Sequence, residues 1–325
     1  MTTNVLVTGG AGYIGSFMVR VLRENGYQPI ILDDLSRSDK TSVAGDVPFF
    51  QGRVSDRNML STIQEKYPLL GVIHFAGYIS MKESMEQPGM YFEANTFETL
   101  KLIENMREFG VNNIIFSSTA GVYGNPERVP IKEEDRKDPT NPYGESKLMA
   151  EKILEWQNRI YGLNYAVLRY FNACGASMDG ELGEAHLPET HIIPIALRAL
   201  KENKEFTIYG TDYETKDGTC VRDYIHVLDL AMAHVLALKK IIADGGAYTY
   251  NVGTGKGYSN REIATAIEEV TGRKLKVREE GRRPGDADEL IADVTRITDE
   301  LHFEPQYSDI YSIIKSAWAW HKDRD

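Results

Sequence analysis

The chain has 325 residues and a formal net charge of −11, from 37 Lys and Arg against 48 Asp and Glu. That length supports one large or two modest hydrophobic cores, and the acidic balance argues against a broad nucleic-acid or anionic-membrane surface, although a local basic pocket is still allowed. Hydrophobic residues at 42% and charged residues at 26% are ordinary for a soluble globular chain, and no apolar run approaches a membrane span.

The N-terminal "MTTNVLVTGG" enters a strand at once, so no signal peptide is expected. The short β-branched run at 4–10 ends in glycines, and apolar residues at helical spacing fill 13–26. Strands are expected at 28–34 and 47–53, a helix at 58–67, and doubly buried strands at 70–77, 112–118 and 163–171, with helices over 88–109 and 143–161 between them. Repeated β-α-β units demand right-handed crossovers and a parallel sheet. The fold class is therefore α/β, a Rossmann-type doubly wound parallel sheet. After Phe171 the texture changes: a Gly-rich loop, a helix near 190–202, a strand "EFTIYG", a loop "TDYETKDGTCVRDY", and helices near 227–243, 259–271 and 308–321. This predicts a first domain over 1–175 and a smaller α+β substrate domain over 176–325, with some later segments folding back onto the sheet.

Cys174 and Cys220 lack metal-type spacing. They are expected as buried free thiols of a reducing, cytoplasmic compartment. The histidines, His191 among them, show no metal spacing either, and no metal is expected.

"VTGGAGYIG" places Gly9, Gly12 and Gly15 at the first strand-to-helix turn. A pyrophosphate must approach such a backbone closely, and the helix N-terminus favours its charge. Asp33 closes the second strand, where a carboxylate accepts from ribose hydroxyls and repels a 2′-phosphate, so NAD is expected over NADP in spite of Arg37 nearby. "PYGESK" puts Tyr143 and Lys147 four residues apart, on one helix face. A free tyrosine titrates near 10, and a base working near neutrality needs a value lower by about 3, or roughly 4 kcal/mol of preference for phenolate. One cation about 4 Å away supplies about 4 kcal/mol at an effective dielectric near 20.

With "SSTAGVYG" upstream of that pair, the chain resembles the extended short-chain dehydrogenase/reductases. "LRYFNACGA", "DGTCVRDYIHVLDLAMAHVLAL", "YNVGTGKGYS" and "RRPGD" look like the UDP-glucose 4-epimerase group among them, over about residues 4–321. The resemblance implies C4 epimerisation of a UDP-sugar through a 4-keto intermediate with bound NAD. Tyr143 corresponds to the base, Lys147 to its activator and Thr119, in place of the usual serine, to a bridging hydroxyl. It further implies cofactor contacts from Gly9, Gly12, Tyr13, Ile14, Gly15, Asp33, Phe75, Ala76, Gly77, Asn95 and Tyr170, besides Tyr143 and Lys147. Two positions depart from the family pattern: Ile79 stands where a pyrophosphate-binding lysine is common, with Lys82 as a replacement, and Arg53 stands in place of an adenine-binding acid, with Asp56 close by.

On the substrate side the resemblance implies Asn172, Arg222 and Arg283 on the diphosphate, Asp286 on the nucleoside ribose and Tyr209 beside uracil; planar guanidinium forks suit phosphate. Leu290 occupies the place of a bulky tyrosine in some members. This favours UDP-glucose and UDP-galactose as the main pair and leaves room for the N-acetylated forms. A UDP-uronic acid or UDP-pentose epimerase shares the same core residues. A dehydratase is disfavoured because alanine and glycine stand where its acid-base pair belongs, and a non-catalytic NAD-dependent regulator is disfavoured by retention of Thr119, Tyr143 and Lys147 together. The resemblance implies a homodimer through the helices at 88–109 and 143–161, whose apolar positions could equally pack inward.

Overall fold

The structure, a computed structural model, describes residues 3–39, 43, 45–185, 189–283 and 285–324. The alternation read from the sequence is realised as strands β1 (Asn4–Thr8), β2 (Gln28–Asp33), β3 (Phe49–Gln51), β4 (Leu69–His74), β5 (Asn113–Thr119) and β6 (Asn164–Tyr170). Between them run helices α1 (Tyr13–Glu24), α2 (Arg57–Lys66), α3 (Met81–Glu86), α4 (Pro88–Phe92), α5 (Glu98–Glu108) and α6 (Pro142–Tyr161). The remainder supplies β7 (Asn172–Cys174), α7 (Ile192–Lys201), β8 (Glu205–Tyr209), β9 (Val221–His226), α8 (Val227–Asp244), β10 (Ala247–Val252), β11 (Gly257–Ser259), α9 (Asn260–Thr271), β12 (Lys276–Glu280), β13 (Glu289–Leu290), α10 (Thr295–Leu301) and α11 (Ile310–His321).

Seven strands form one sheet in the order β10-β6-β5-β4-β1-β2-β3. The pairs β1–β2, β1–β4, β2–β3 and β4–β5 are parallel. Strand order reverses at β1, between β2 and β4, and this is the switch point at whose carboxyl ends open α/β sheets bind ligands. The expected Rossmann-type sheet is thus present. Its strands carry Leu6, Ile30, Val72, Ile114, Phe116 and Val167 into one hydrophobic core.

By packing, the chain divides into two compact units: residues 1–124, 137–169 and 231–250, and residues 125–136, 170–230 and 251–325. In the second unit a four-stranded sheet centres on β9, flanked by β11 and β13, with β7 also paired to β9. Strands β8 and β12 pair separately and in parallel. Leu197, Phe206, Tyr224, Ile263, Ile267 and Ile313 anchor this unit's core.

Two elements differ from the sequence reading. Val221–Tyr224, read as loop, belongs to β9. Its Arg222 and Asp223 break the apolar run that marks a buried strand, yet Asp223 is fully buried and accepts from the Thr254, Gly255 and Ala292 amides. The single helix expected over 88–109 is interrupted by a π turn at Glu93–Phe97, a device that re-aims a side chain within a helix.

Candidate functional site

In the first unit the glycine turn joins β1 to α1. Gly9 has φ +70°, and a Cβ there would stand 2.8 Å from the Ala76 amide nitrogen, while one on Gly15 would stand 2.1 Å from the Gly9 carbonyl oxygen. Only glycine allows this turn to lie against the segment after β4 and the helix to start so close behind it. Gly12 caps α1 with no side-chain hydrogen bond, so the first helical turn, with Tyr13 and Ile14, is left without a side-chain acceptor from its cap. Asp33, at the end of β2, is buried. It accepts from the Ala11 amide at 3.0 Å, the Leu35 amide at 2.9 Å and the Ser38 hydroxyl at 3.0 Å. The carboxylate is thereby fixed against the glycine turn. Arg37 pairs with Glu83 at 2.7 Å and lies 4.6 Å over the Tyr78 ring.

Phe75, Ala76 and Gly77 follow β4 directly, with the Phe75 ring 4.8 Å from that of His234. The π turn carries buried Asn95. Its Oδ1 accepts from the Tyr78 amide at 2.8 Å, and its Nδ2 donates to the Tyr78 carbonyl and the Ser146 hydroxyl, both at 3.0 Å. Asn95 therefore ties the segment after β4 to α6. Ile79 is exposed. Arg53 pairs with Glu98 at 2.7 Å, and Asp56 caps α2 through the Asn58 and Met59 amides. Both exposed charged groups thus have partners within the chain.

Helix α6 opens with Asn141 capping the Gly144 amide at 2.9 Å. A Cβ on Gly144 would meet the Gly121 carbonyl oxygen at 2.6 Å, so glycine lets α6 press against the turn after β5. That approach brings Tyr143 close enough to Thr119 for the threonine hydroxyl to act on the phenol. Thr119 also accepts from the Gly121 amide at 3.0 Å, which fixes its hydroxyl. Burial raises the phenol of Tyr143 above its ordinary range, and the Thr119 contact works against that rise. Lys147 is buried, donates to the Ser117 carbonyl at 3.0 Å and lies 5.0 Å over the Phe116 ring. Burial pulls its ammonium down to about 8, opposed by the Glu151 carboxylate. The expected lowering of the phenol by the lysine is thus not set by the protein alone. Burial penalises each charge separately.

A buried network behind this pair escaped the sequence reading. Arg169 on β6 grips Glu151 with Nε at 3.0 Å and Nη2 at 2.6 Å, and donates to the Tyr123 hydroxyl at 2.9 Å. The Ser118 hydroxyl also donates to Glu151. These four residues come from β5, the turn after it, α6 and β6, and no local spacing connects them. His74, hydrogen-bonded to Thr8 at 2.6 Å and Thr99 at 2.9 Å, is pushed down to about 3 by burial and then by Lys147.

In the second unit Asp286 stands between two arginines. Arg283 donates to it at 3.0 Å and Arg222 lies 4.0 Å away. Arg283 lies 5.1 Å over the Tyr209 ring, and Leu290 pairs with Arg222 in the β13–β9 ladder. Asn172 on β7 donates to the Asp223 carbonyl at 2.9 Å. Tyr170 ends β6 half-buried. His191 pairs with Glu184, and Glu189 lies 3.6 Å away. Burial opposes the imidazolium, but these carboxylates raise it to about 9. The three offer ligand-type atoms within 4.8 Å of one another, an arrangement that the ion pairing explains. Cys174 and Cys220 are free and buried, as expected. Among the described residues, no helix is long and apolar enough to cross a membrane.

The donor set suits a dinucleotide: a glycine turn that a Cβ would close, and a carboxylate held beside it to accept from a diol. Comparison with known proteins agrees. Residues 5–253 match the model of the NAD dependent epimerase/dehydratase family. A UDP-glucose 4-epimerase of Lacticaseibacillus casei is 46% identical over 320 residues, covering 98% of this chain and 97% of that protein. The crystal structure of UDP-glucose 4-epimerase from Brucella ovis in complex with NAD aligns with TM-score 0.94 and 45% identity over 98% of each chain. The Bifidobacterium longum UDP-glucose 4-epimerase in complex with NAD+ and UDP aligns with TM-score 0.92 and 37% identity over 99% of each chain.

Proposed function

Because the chain belongs to the NAD dependent epimerase/dehydratase family, we propose that it interconverts UDP-galactose and UDP-glucose by inversion at C4. The observation that carries this reading is the placing of Tyr143 and Lys147, both buried, on one helix that packs against the turn after Thr119, in a chain similar over nearly its whole length to UDP-glucose 4-epimerases. NAD, when bound, supplies the hydride acceptor and donor. The first unit is its proposed holder: Gly9, Gly12, Tyr13, Ile14 and Gly15 at the pyrophosphate, Asp33 at the ribose, and Phe75, Ala76, Gly77 and Asn95 along the segment after β4. Tyr170 is proposed at the nicotinamide end. Asp33 disfavours a 2′-phosphate, and the pairing of Arg37 with Glu83 removes the nearby cation that would suit one.

Tyr143 takes the proton of the sugar 4-hydroxyl and later returns it, while Thr119 steadies the phenol oxygen. With a value of about 8, Lys147 is ionised about ten to one at pH 7, so its positive charge is present when the phenolate forms. The second unit is the proposed holder of UDP, with Asn172, Arg222 and Arg283 on the diphosphate, Asp286 on the ribose and Tyr209 beside the base. Leu290, half-buried opposite Arg222, leaves more room than a tyrosine, and the N-acetylated pair is the proposed secondary substrate.

The exposed apolar residues Phe97, Met149, Trp156, Ile160 and Tyr161 near and along α6 support a homodimer through this face, with sedimentation at twice the chain mass as the expected result. The buried free thiols suit a cytoplasmic location. Purified protein mixed with UDP-galactose, without added reductant, is expected to form UDP-glucose. Turnover of the N-acetylated pair alone would reverse the substrate order, and no turnover of any UDP-sugar would sink the reading.

A further inference from the structure

Tyr213 lies in the loop between β8 and β9 and is 4% exposed. Its surroundings hold the ring tightly. A Cβ on Gly210 would stand 2.2 Å from the ring edge, and the Arg282 guanidinium lies 4.1 Å over the ring centre. Arg282 is itself anchored to the Asp212 carboxylate at 2.8 Å. The backbone is equally committed: the Tyr213 amide donates to the Gly218 carbonyl at 3.0 Å, and the Thr215 amide donates to the Tyr213 carbonyl at 2.8 Å. The hydroxyl is the exception. Among the described residues it is a buried polar atom with no hydrogen-bond partner.

A fold gains nothing from such a group. Burying a hydroxyl without a partner forfeits its bonds to water, and a phenylalanine would fill the same space without that cost. Native structures satisfy nearly all buried polar groups, so each exception calls for an explanation, and a ligand is one. The electrostatic surroundings indicate which ligand. The loop that carries Tyr213 is tied to the segment of Arg283 and Asp286: the Glu214 amide donates to the Asp288 carboxylate at 3.1 Å, and Arg282 over the ring adjoins Arg283, with Asp286 and Arg222 in electrostatic reach of the phenol. Asp286 and Arg222 are 4.0 Å apart and are the residues proposed above for ribose and diphosphate.

We propose that the Tyr213 hydroxyl is a binding group for the nucleoside-diphosphate end of the substrate, donating to a phosphate or ribose oxygen. The inference rests on the reading that the second unit takes UDP. The clamped ring makes this donor preorganised, because little side-chain freedom is left to lose on binding.

The test compares wild type with Tyr213→Phe, which keeps the ring packing and removes only the hydroxyl. Calorimetric titration with UDP and with UDP-glucose is expected to show both weakened by about tenfold, the scale of one hydrogen bond to a charged group. The melting temperature of the unliganded variant is expected not to fall, since the removed atom had no partner in the fold. Unchanged affinity for UDP would overturn the proposal. Loss confined to UDP-glucose would place the hydroxyl at the sugar and overturn the assignment to the nucleotide end. A lowered unliganded melting temperature would assign the hydroxyl to the fold and overturn it as well. Failure of wild type to bind UDP would overturn both this inference and the reading beneath it, whereas binding by wild type that the variant matches would overturn this inference alone.

Discussion

The groups proposed for the cofactor and proton transfer in the first unit and those proposed for the nucleotide in the second are held in different ways. In the first unit they are buried and bound to one another: Asp33 to three donors, Asn95 to a backbone and a hydroxyl, Lys147 to a carbonyl, and Arg169 to Glu151 and Tyr123. In the second unit the groups proposed for the nucleotide are ion-paired to one another instead, around a largely buried Asp286. Arg283 has a side chain 56% exposed, and its acid Asp286 is shared with Arg222. The contrast matches the two tasks proposed. Proton transfer needs groups fixed in a dry place, where each charge is strongly felt. Capture of a charged nucleotide needs cations that can exchange an internal partner for the ligand.

The largest effect is expected where the dry arrangement is broken at its reacting atom. Tyr143→Phe removes the proposed proton carrier and is expected to lower kcat by about two to four orders of magnitude. Circular dichroism and NAD binding should stay near those of wild type. Substantial epimerisation by this variant would place the proton elsewhere.

A second test strikes the support of that arrangement. Arg169→Met leaves Glu151 buried and unpaired beside Lys147. Breaking a buried pair this way costs about 3–5 kcal/mol, read as a lowered denaturation midpoint. Removing Arg283, whose side chain is half-exposed, should alter stability by less than about 1 kcal/mol. Equal losses for the two variants would erase the distinction between the units.

The smallest and most discriminating test is pH. Lys147, held at about 8 against an ordinary 10.5, disfavours the fold when protonated. From this group, stability rises between about pH 8 and 10.5, because the unfolded chain binds more protons there. Activity that needs the ammonium falls over the same rise, with its alkaline limb near 8. His191 has the opposite sign: raised from 6.5 to about 9, it contributes stability in full below 6.5 and loses it as pH climbs through 9. Lys147→Met is expected to remove the first dependence and His191→Asn the second, in chemical denaturation followed across pH.

Much of the first unit is legible along the chain because its signals are local. The glycine turn, Asp33 at the following strand end, and Tyr143 with Lys147 one helical turn apart all lie within short stretches. What was missed depends on distant partners. Asn95 faces Tyr78 and Ser146 only because a π turn interrupts its helix, and the ladder of Glu151, Arg169, Ser118 and Tyr123 joins residues that no periodicity connects. Strand β9 was hidden by its own charges: Asp223 is buried to receive three backbone amides, a role that no apolar alternation reveals. Arg53, which stands in place of the family's adenine-binding acid, pairs with Glu98, and Asp56 close by caps α2.

By itself, then, the sequence determined most of the elements, the parallel sheet with its glycine turn, and the candidate proton-transfer pair. These follow from spacing, because side-chain direction along a helix or strand is periodic. Tertiary structure decided the charge states. Burial raises Tyr143 and lowers Lys147, carboxylates raise His191, and among the described residues the Tyr213 hydroxyl is left without a hydrogen-bond partner. Each of these depends on how much water is excluded and on which distant group is brought near, and chain order encodes neither.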